Sequence, residues 1–349
     1  AGADRGRRLA ERSTRDPERG AFVARLLKAD DDQDPEPIEG ALAGAAREVL
    51  RAPRLVSPGS TVGPYVALRR VGVGGMAEVW AVRHRVLGTV HALKLLLRAS
   101  SGLWDRLLRE GMAQARLRHP NVVPVRDVLD MDGVPALLMP LITGPTLEGL
   151  LRRVVLPADA KHGLFAGTLR GVAHVHAAGC IHRDLKADNV LLQPEQGVLV
   201  PRVADFGLVK GVDAGPMTVH GSVMGTLVYA APEQLRDAST VDVRADIYSL
   251  GVLAVRVFTG HLPFPEGSIG EVVLAKRRPP DVTGLPEPLV GLVTSMLDEE
   301  PDRRPASVDE VLVRLMAVDR GFVLPAASLV PTLFLPESEP VASESTGTG

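Results

Sequence analysis

A single cysteine, Cys180, is present in 349 residues. An internal disulfide is therefore excluded, as is a cysteine-built zinc site, and the usage suits a reducing compartment, so the chain is expected to be cytoplasmic. Long apolar runs are also missing. The best stretch, Ile247 to Phe258, is interrupted by Arg256, and Leu324 to Leu335 is broken by Pro325 and Pro331. Neither reaches the roughly 18 apolar residues of a membrane helix, and no membrane span is expected. The N-terminal Ala1-Gly2-Ala3-Asp4-Arg5 has no apolar core behind its basic residues, so no signal peptide is read there. Charge of one sign is lacking too: 40 Lys and Arg face 42 Asp and Glu, a formal net charge of -2. That balance argues against nucleic acid as a partner.

What is present is an ordinary globular composition, 45% apolar and 23% charged, which allows a sizeable core. At about 150 residues per domain, the length suggests two domains or lobes. The 35 glycines and 28 prolines point to many turns and disfavour a coiled coil. Residues 1–60 are charge-rich, with Phe22, Val23, Leu26 and Leu27 at helical spacing ahead of Asp30-Asp31-Asp32-Gln33-Asp34-Pro35-Glu36-Pro37. A helical leader and an acidic linker are expected there. From Val62, β-prone runs take over: Tyr65 to Leu68, Val79 to Val82 and His91 to Leu97, separated by Gly72-Val73-Gly74-Gly75 and by Leu87-Gly88-Thr89. Their short connections predict an antiparallel meander. Leu103 to Leu117 has helical spacing, and helical patterns alternate with loops from Thr146 to about Met316. The expected class is α+β, a small β-rich part before a larger α-rich one. Residues 319–349, rich in Pro and Ser, read as a mobile tail.

Gly72-x-Gly74-x-x-Ala77 fits both a dinucleotide-binding turn and a hairpin that covers a nucleotide. A dinucleotide fold would follow the glycines with a helix and place an acid about 20 residues on. Here Val79 to Val82 is strand-like and no acid lies between Glu78 and Asp105, so the hairpin is preferred. Glycines at such a turn let backbone N–H groups approach phosphate oxygens. Lys94 interrupts an apolar run, so its ammonium must reach solvent, a partner or a ligand. Glu110 lies three residues after Leu107 and seven before Leu117, on the apolar face of its helix. A carboxylate there needs a cation, and Lys94 is the candidate. Taken singly, Asp184 and Asp205 read as turn-capping residues, and Val79 and Leu191 as core.

The most specific segment is His182-Arg183-Asp184-Leu185-Lys186-Ala187-Asp188-Asn189, followed 16 residues after Asn189 by Asp205-Phe206-Gly207 and later by Ala231-Pro232-Glu233. With the glycine loop, Lys94 and Glu110, six elements stand in the order and spacing of the protein-kinase signature set. The stretch from about Val62 to Met316 resembles the eukaryotic-type (Hanks-type) serine/threonine protein kinases. Gly74-Gly75-Met76, Gly225-Thr226 and Gln234 are similar to their bacterial branch.

That resemblance implies a two-lobed protein-kinase fold, with a β-rich lobe near 62–142 and an α-rich lobe near 143–318. It implies transfer of the γ-phosphate of ATP to Ser and Thr of protein substrates in bacterial signal transduction. Asp184 would be the base for the acceptor hydroxyl, and Lys186 would reach the transferring phosphate. Lys94, aligned by Glu110, would hold the α and β phosphates, while Asn189 and Asp205 would ligate Mg2+, with Mn2+ as the alternative. Gly72, Val73, Gly74 and Gly75 would cover the phosphates, and Val79, Ala92 and Leu191 would sandwich the adenine. Met139-Pro140-Leu141-Ile142 matches the hinge; Pro140 replaces an acid often found there, and Ile142 still supplies an N–H. Thr218 and Ser222 are the phosphosite candidates, to be received by Arg183, and Thr226 would line the acceptor site. Asp246, Glu233 and Arg304 match structural positions. Ala77 replaces a third glycine, and a positive φ there would cost about 1 kcal/mol. Two other classes are weighed. A pseudokinase is disfavoured because Lys94, Asp184, Asn189 and Asp205 are all present, and a small-molecule phosphotransferase because Gly225 to Glu233 offers a platform for a protein acceptor. A transient homodimer is admitted among the partners.

Overall fold

The chain divides into two compact units, Ala1–Ser57 and Pro58–Gly349. In the computed structural model, residues 56–74, 77–96, 117–131, 134–206, 224–236 and 241–318 are described. Residues 1–55 of the leader and linker expected over 1–60, the helix carrying Glu110, Gly75, Gly207, Thr218, Ser222 and the tail 319–349 lie outside them, as does the side chain of Thr226.

Six strands form one sheet: β1 (Thr61–Val62), β2 (Tyr65–Val73), β3 (Ala77–His84), β4 (Val90–Leu96), β5 (Asp127–Met131) and β6 (Val134–Pro140). Their order is β1-β2-β3-β4-β6-β5, antiparallel throughout, so the expected meander of three strands is the centre of a larger sheet. Side-chain alternation explains why β4 sits inside. Leu93 and Leu95 are fully buried on one face, while Lys94 between them points to the other and stays partly open. Ala77 pairs with Leu96 in the β3–β4 ladder, and among the described residues only Arg183, Gln196 and Asp205 are non-glycines with positive φ. The cost feared for Ala77 therefore does not arise, because strand backbone suits alanine.

A second, two-stranded sheet was not expected: β7 (Val190–Glu195) and β8 (Val198–Val203), joined at Gln196-Gly197 with φ of 49° and 81°. Two consecutive positive φ values give the turn whose twist matches a tight hairpin. The helices are α1 (Leu147–Leu151), α2 (Ala158–Ala177), α3 (Met224–Tyr229), α4 (Pro232–Arg236), α5 (Val243–Thr259), α6 (Ile269–Ala275), α7 (Glu287–Met296) and α8 (Val308–Val318). α5 starts on Asp242, whose side chain accepts from the Arg244 N–H, and stops at Gly260 in the left-handed region, φ 87°. Between these caps, from Ala245 to Val255, it is buried all round, which makes it the centre of the main core.

α2 packs against β8 and the segment before β5. A Cβ on Gly171 would lie 2.4 Å from the Asn121 carbonyl oxygen, so only glycine admits that approach. The seam is then closed by backbone: Val123 N–H donates to the Val203 carbonyl, and Val203 N–H to that of Asn121, each at 2.9 Å.

Candidate active site

Register places the sheet's site residues. Val79 is directly opposite Lys94, Ala81 opposite Ala92, and Ala92 opposite Met139. With the period of two along each strand, Val79, Ala92, Lys94 and Met139 share one face. Ala92 is buried, and the other three are partly open. Pro140 ends β6 opposite His91, and Ile142 follows in a loop, partly open. Leu191 lies on β7 beside Thr146, which caps α1, so it belongs to the helical part. At the β2–β3 hairpin, Gly72 pairs with Val79 and Val73 with Glu78, and Gly74 N–H donates to the Ala77 carbonyl at 2.8 Å. A Cβ at Gly72 would meet no described atom within 4 Å, leaving this edge open to an approaching group.

Across from that face lies Asp205, 111 residues from Lys94 in sequence. The Lys94 Nζ donates to Asp205 Oδ1 at 2.7 Å, with the lysine side chain 15% exposed and the aspartate 44%. Asp205 has φ 57° and Arg183 φ 65°, both in the left-handed region that an L residue enters at a cost of about 1–2 kcal/mol. Their neighbours hold them there. Ala204 N–H donates to the Asn189 carbonyl at 2.9 Å, and Phe206 packs on the His182 ring at 5.0 Å between centroids. The Arg183 carbonyl accepts from Gln234 Nε2 at 3.1 Å.

The loop from His182 to Asn189 is tied back on itself. Asn189 Nδ2 donates to the Asp184 carbonyl at 2.7 Å and to Asp184 Oδ2 at 3.2 Å, which leaves Asn189 Oδ1 as a neutral oxygen donor. His182 is wholly buried, and burial holds its imidazole below the usual range. Its bonds agree with a neutral ring: Nε2 donates to the Ala204 carbonyl at 2.9 Å, and Nδ1 accepts from Asp184 N–H at 3.3 Å. The buried Asp246 carboxylate accepts from the N–H groups of His182 (2.7 Å) and Arg183 (2.8 Å) and lies 2.8 Å from His176 Nε2. Below it, Arg304 makes a two-point pair with Glu233 at 2.7 and 2.9 Å and gives its remaining donors to the carbonyls of Asp298, Arg244 and Glu299. A fully buried guanidinium is tolerable because every N–H has an acceptor.

The fold thus brings Lys94, Asp184, Asn189 and Asp205 to one place, beneath the face carrying Val79, Ala92 and Met139. Lys186 lies within the same loop, and Leu191 follows it on β7. Lys94 has Asp205 as its bonded carboxylate; Glu110, the partner expected for it, lies outside the described residues. Sequence reasoning missed His176, Ser249 and Lys276, all bonded to this framework. Lys276 carried a readable signal: it stands four residues after the buried Val272, the same spacing argument that singled out Glu110. A carboxylate, an amide oxygen and an ammonium set a few bonds apart suit a phosphorylated ligand with a hard divalent cation.

Comparison with known proteins agrees. The protein kinase domain family matches residues 65–314. The probable serine/threonine-protein kinase PkwA of Thermomonospora curvata is 34% identical over 265 residues, which are 74% of this chain and 35% of that protein. Serine/threonine-protein kinase PknL of Mycobacterium tuberculosis is 33% identical over 271 residues, 75% of this chain and 67% of PknL. The crystal structure of the Mycobacterium tuberculosis PknI kinase domain superposes with a TM-score of 0.58 at 26% identity, covering 75% of this chain and 99% of that one. The chain spans about a third of the length of the first curated relatives it matches. With most of its length matched, and a site built from that family's residues, the chain belongs to the protein kinase domain family, on its bacterial serine/threonine side.

Proposed function

We propose that this chain transfers the γ-phosphate of ATP to Ser and Thr hydroxyls of proteins, its own segment between Phe206 and Pro232 included. The observation that supports this most is the meeting of Lys94 from the sheet with Asp205 at 2.7 Å, directly beside the Asp184–Asn189 loop. One lobe over about 62–142 and another over about 143–318 would enclose the reactants.

Asp184 orients the acceptor hydroxyl and takes its proton as the oxygen attacks the γ-phosphorus. The bond to the β-phosphate oxygen breaks, and ADP leaves. Lys94 neutralises the α and β phosphates and Lys186 the moving phosphoryl group. Asn189 Oδ1 and the Asp205 carboxylate are hard oxygen donors that would hold Mg2+, or Mn2+, which when bound would supply positive charge against the phosphates. Gly72, Val73, Gly74 and Gly75 would cover the phosphates, Val79, Ala92 and Leu191 would clamp the adenine, and the backbone of Met139, Pro140 and Ile142 would read its edge. Thr226 lines the acceptor side. Phosphate on Thr218 or Ser222 would be met by Arg183. The setting that follows is cytoplasmic, with protein substrates and a transient homodimer during self-phosphorylation.

The test is incubation with Mg2+ and γ-labelled ATP beside Asp184→Asn, with mass spectrometry of the label. Label on Thr218 or Ser222 in the parent and none in the variant is expected. An unlabelled parent that also leaves a generic protein acceptor unmodified, while ATP still raises its melting temperature, would turn the reading to a pseudokinase.

A further inference from the structure

Lys276 stands just past α6 and is only 6% exposed. Its ammonium donates to the Val228 carbonyl at 2.6 Å and to the Tyr248 hydroxyl at 3.2 Å. The same nitrogen lies 4.5 Å from the centre of the Tyr248 ring and 4.9 Å from that of Phe264. Two charged groups face it from other elements, Glu233 on α4 and Arg304 after the Pro301–Arg303 turn. Those two are already bonded to each other, and among the described residues no carboxylate is bonded to Lys276. An apolar side chain would fill such a place at lower cost than a buried cation.

What the cation does is visible at its acceptor. Val228 belongs to the last turn of α3, whose carbonyls find no partner within so short a helix. A lysine ammonium is a suitable cap for such a carbonyl. Ser249 Oγ takes the next one, Tyr229, at 2.8 Å. Together these two bonds hold the end of the segment that carries Thr226 two residues earlier.

We propose that Lys276 is a positioning residue for the protein acceptor: its ammonium clamps α3 in the conformation that receives the acceptor, and protein phosphorylation weakens when that charge is lost. This rests on the kinase reading given above. Burial, and then Arg304, push the Lys276 ammonium down to about 7, with Glu233 acting the other way. The clamp is charged below that pH and neutral above it. A neutral amine still donates to Val228, but a charge-assisted bond is about twice as strong.

The experiment measures KM for ATP and for a peptide acceptor without groups titrating between about pH 6 and 9, in the parent, Lys276→Met and Lys276→Arg. In the parent, acceptor KM rises about tenfold across that range with a midpoint near 7, while ATP KM stays level. Lys276→Met is expected to show the high acceptor KM at every pH, and Lys276→Arg no step at all, since arginine keeps its charge. An acceptor KM in Lys276→Met equal to the parent's at pH 6, or a step that Lys276→Met retains, overturns the proposal. A uniform loss of ATP and acceptor binding also overturns it, as the mark of a merely structural residue. Should Lys276→Met not melt cooperatively, the parent and Lys276→Arg profiles decide alone. A parent that phosphorylates no acceptor overturns the kinase reading, and this proposal with it, whatever the variants do.

Discussion

On the sheet, Gly72 and Gly74 stand open and Val79, Lys94 and Met139 are placed by ladder register, each partly exposed, with Lys94 also bonded to Asp205. Around the catalytic loop the opposite holds: Asp246 is wholly buried under two N–H donors and an imidazole, Arg304 spends all its donors, and two left-handed residues are pinned by neighbours. The difference separates two demands. On the proposed function a nucleotide would enter and leave on the sheet side, which suits backbone and apolar surface that tolerate movement. On the proposed function, Asp184, Asn189 and Asp205 would have to stand still to within fractions of an ångström, which suits a side cross-linked by buried hydrogen bonds.

The comparison is tested most severely by Asp184→Asn, which removes the proposed base while keeping an oxygen that can accept from Asn189. Transfer should fall about 1,000-fold with the melting temperature unchanged within about 2 °C, by kinetics and calorimetry side by side. Asp246→Ala attacks the cross-linking itself. Three polar groups lose their acceptor, so a loss of about 3–5 kcal/mol and a melting temperature lower by about 10 °C are expected. An equally large drop for Val79→Ala on the sheet would contradict the contrast.

A smaller effect concerns Lys276, whose folded value of about 7 lies below the usual 10.5. Between those values the unfolded chain binds a proton that the folded chain does not, so stability rises with pH through this window, and below pH 7 the burial cost is present in full. The melting temperature of the parent should therefore gain on that of Lys276→Met by about 5 °C between pH 6 and 10. A gap that widens in the other direction would refute the buried-cation assignment. Last comes a pair of glycines. Gly171→Ala forces a Cβ against the Asn121 carbonyl and should cost about 1–3 kcal/mol, read by denaturant unfolding. Gly72→Ala meets open space and should leave stability within about 0.5 kcal/mol while raising ATP KM a few-fold.

Much of the candidate site was legible because its signals are local. The glycine cluster, the lysine inside an apolar run and the tight His182 to Asn189 string each need only a few neighbours to be read. The central strands followed from alternation, although β2 and β3 run further than their apolar cores suggested. The β7–β8 hairpin escaped because Gln196-Gly197 is a modest turn signal between strands that read as plain apolar runs. The worry over Ala77 dissolved because its φ is set by pairing with Leu96, a partner that the glycine pattern does not name.

By itself, the sequence determined the family, the order of the lobes and the residue types that carry the chemistry, since periodicity, glycine and charge act over short spans of chain. Only the tertiary structure decided that Lys94 reaches Asp205, that His176 joins Asp246 beneath the loop, and that Lys276 caps α3. Those contacts join residues between 48 and 111 positions apart. Whether a buried charge meets a partner there depends on which elements the core packs together, and no local pattern carries that information.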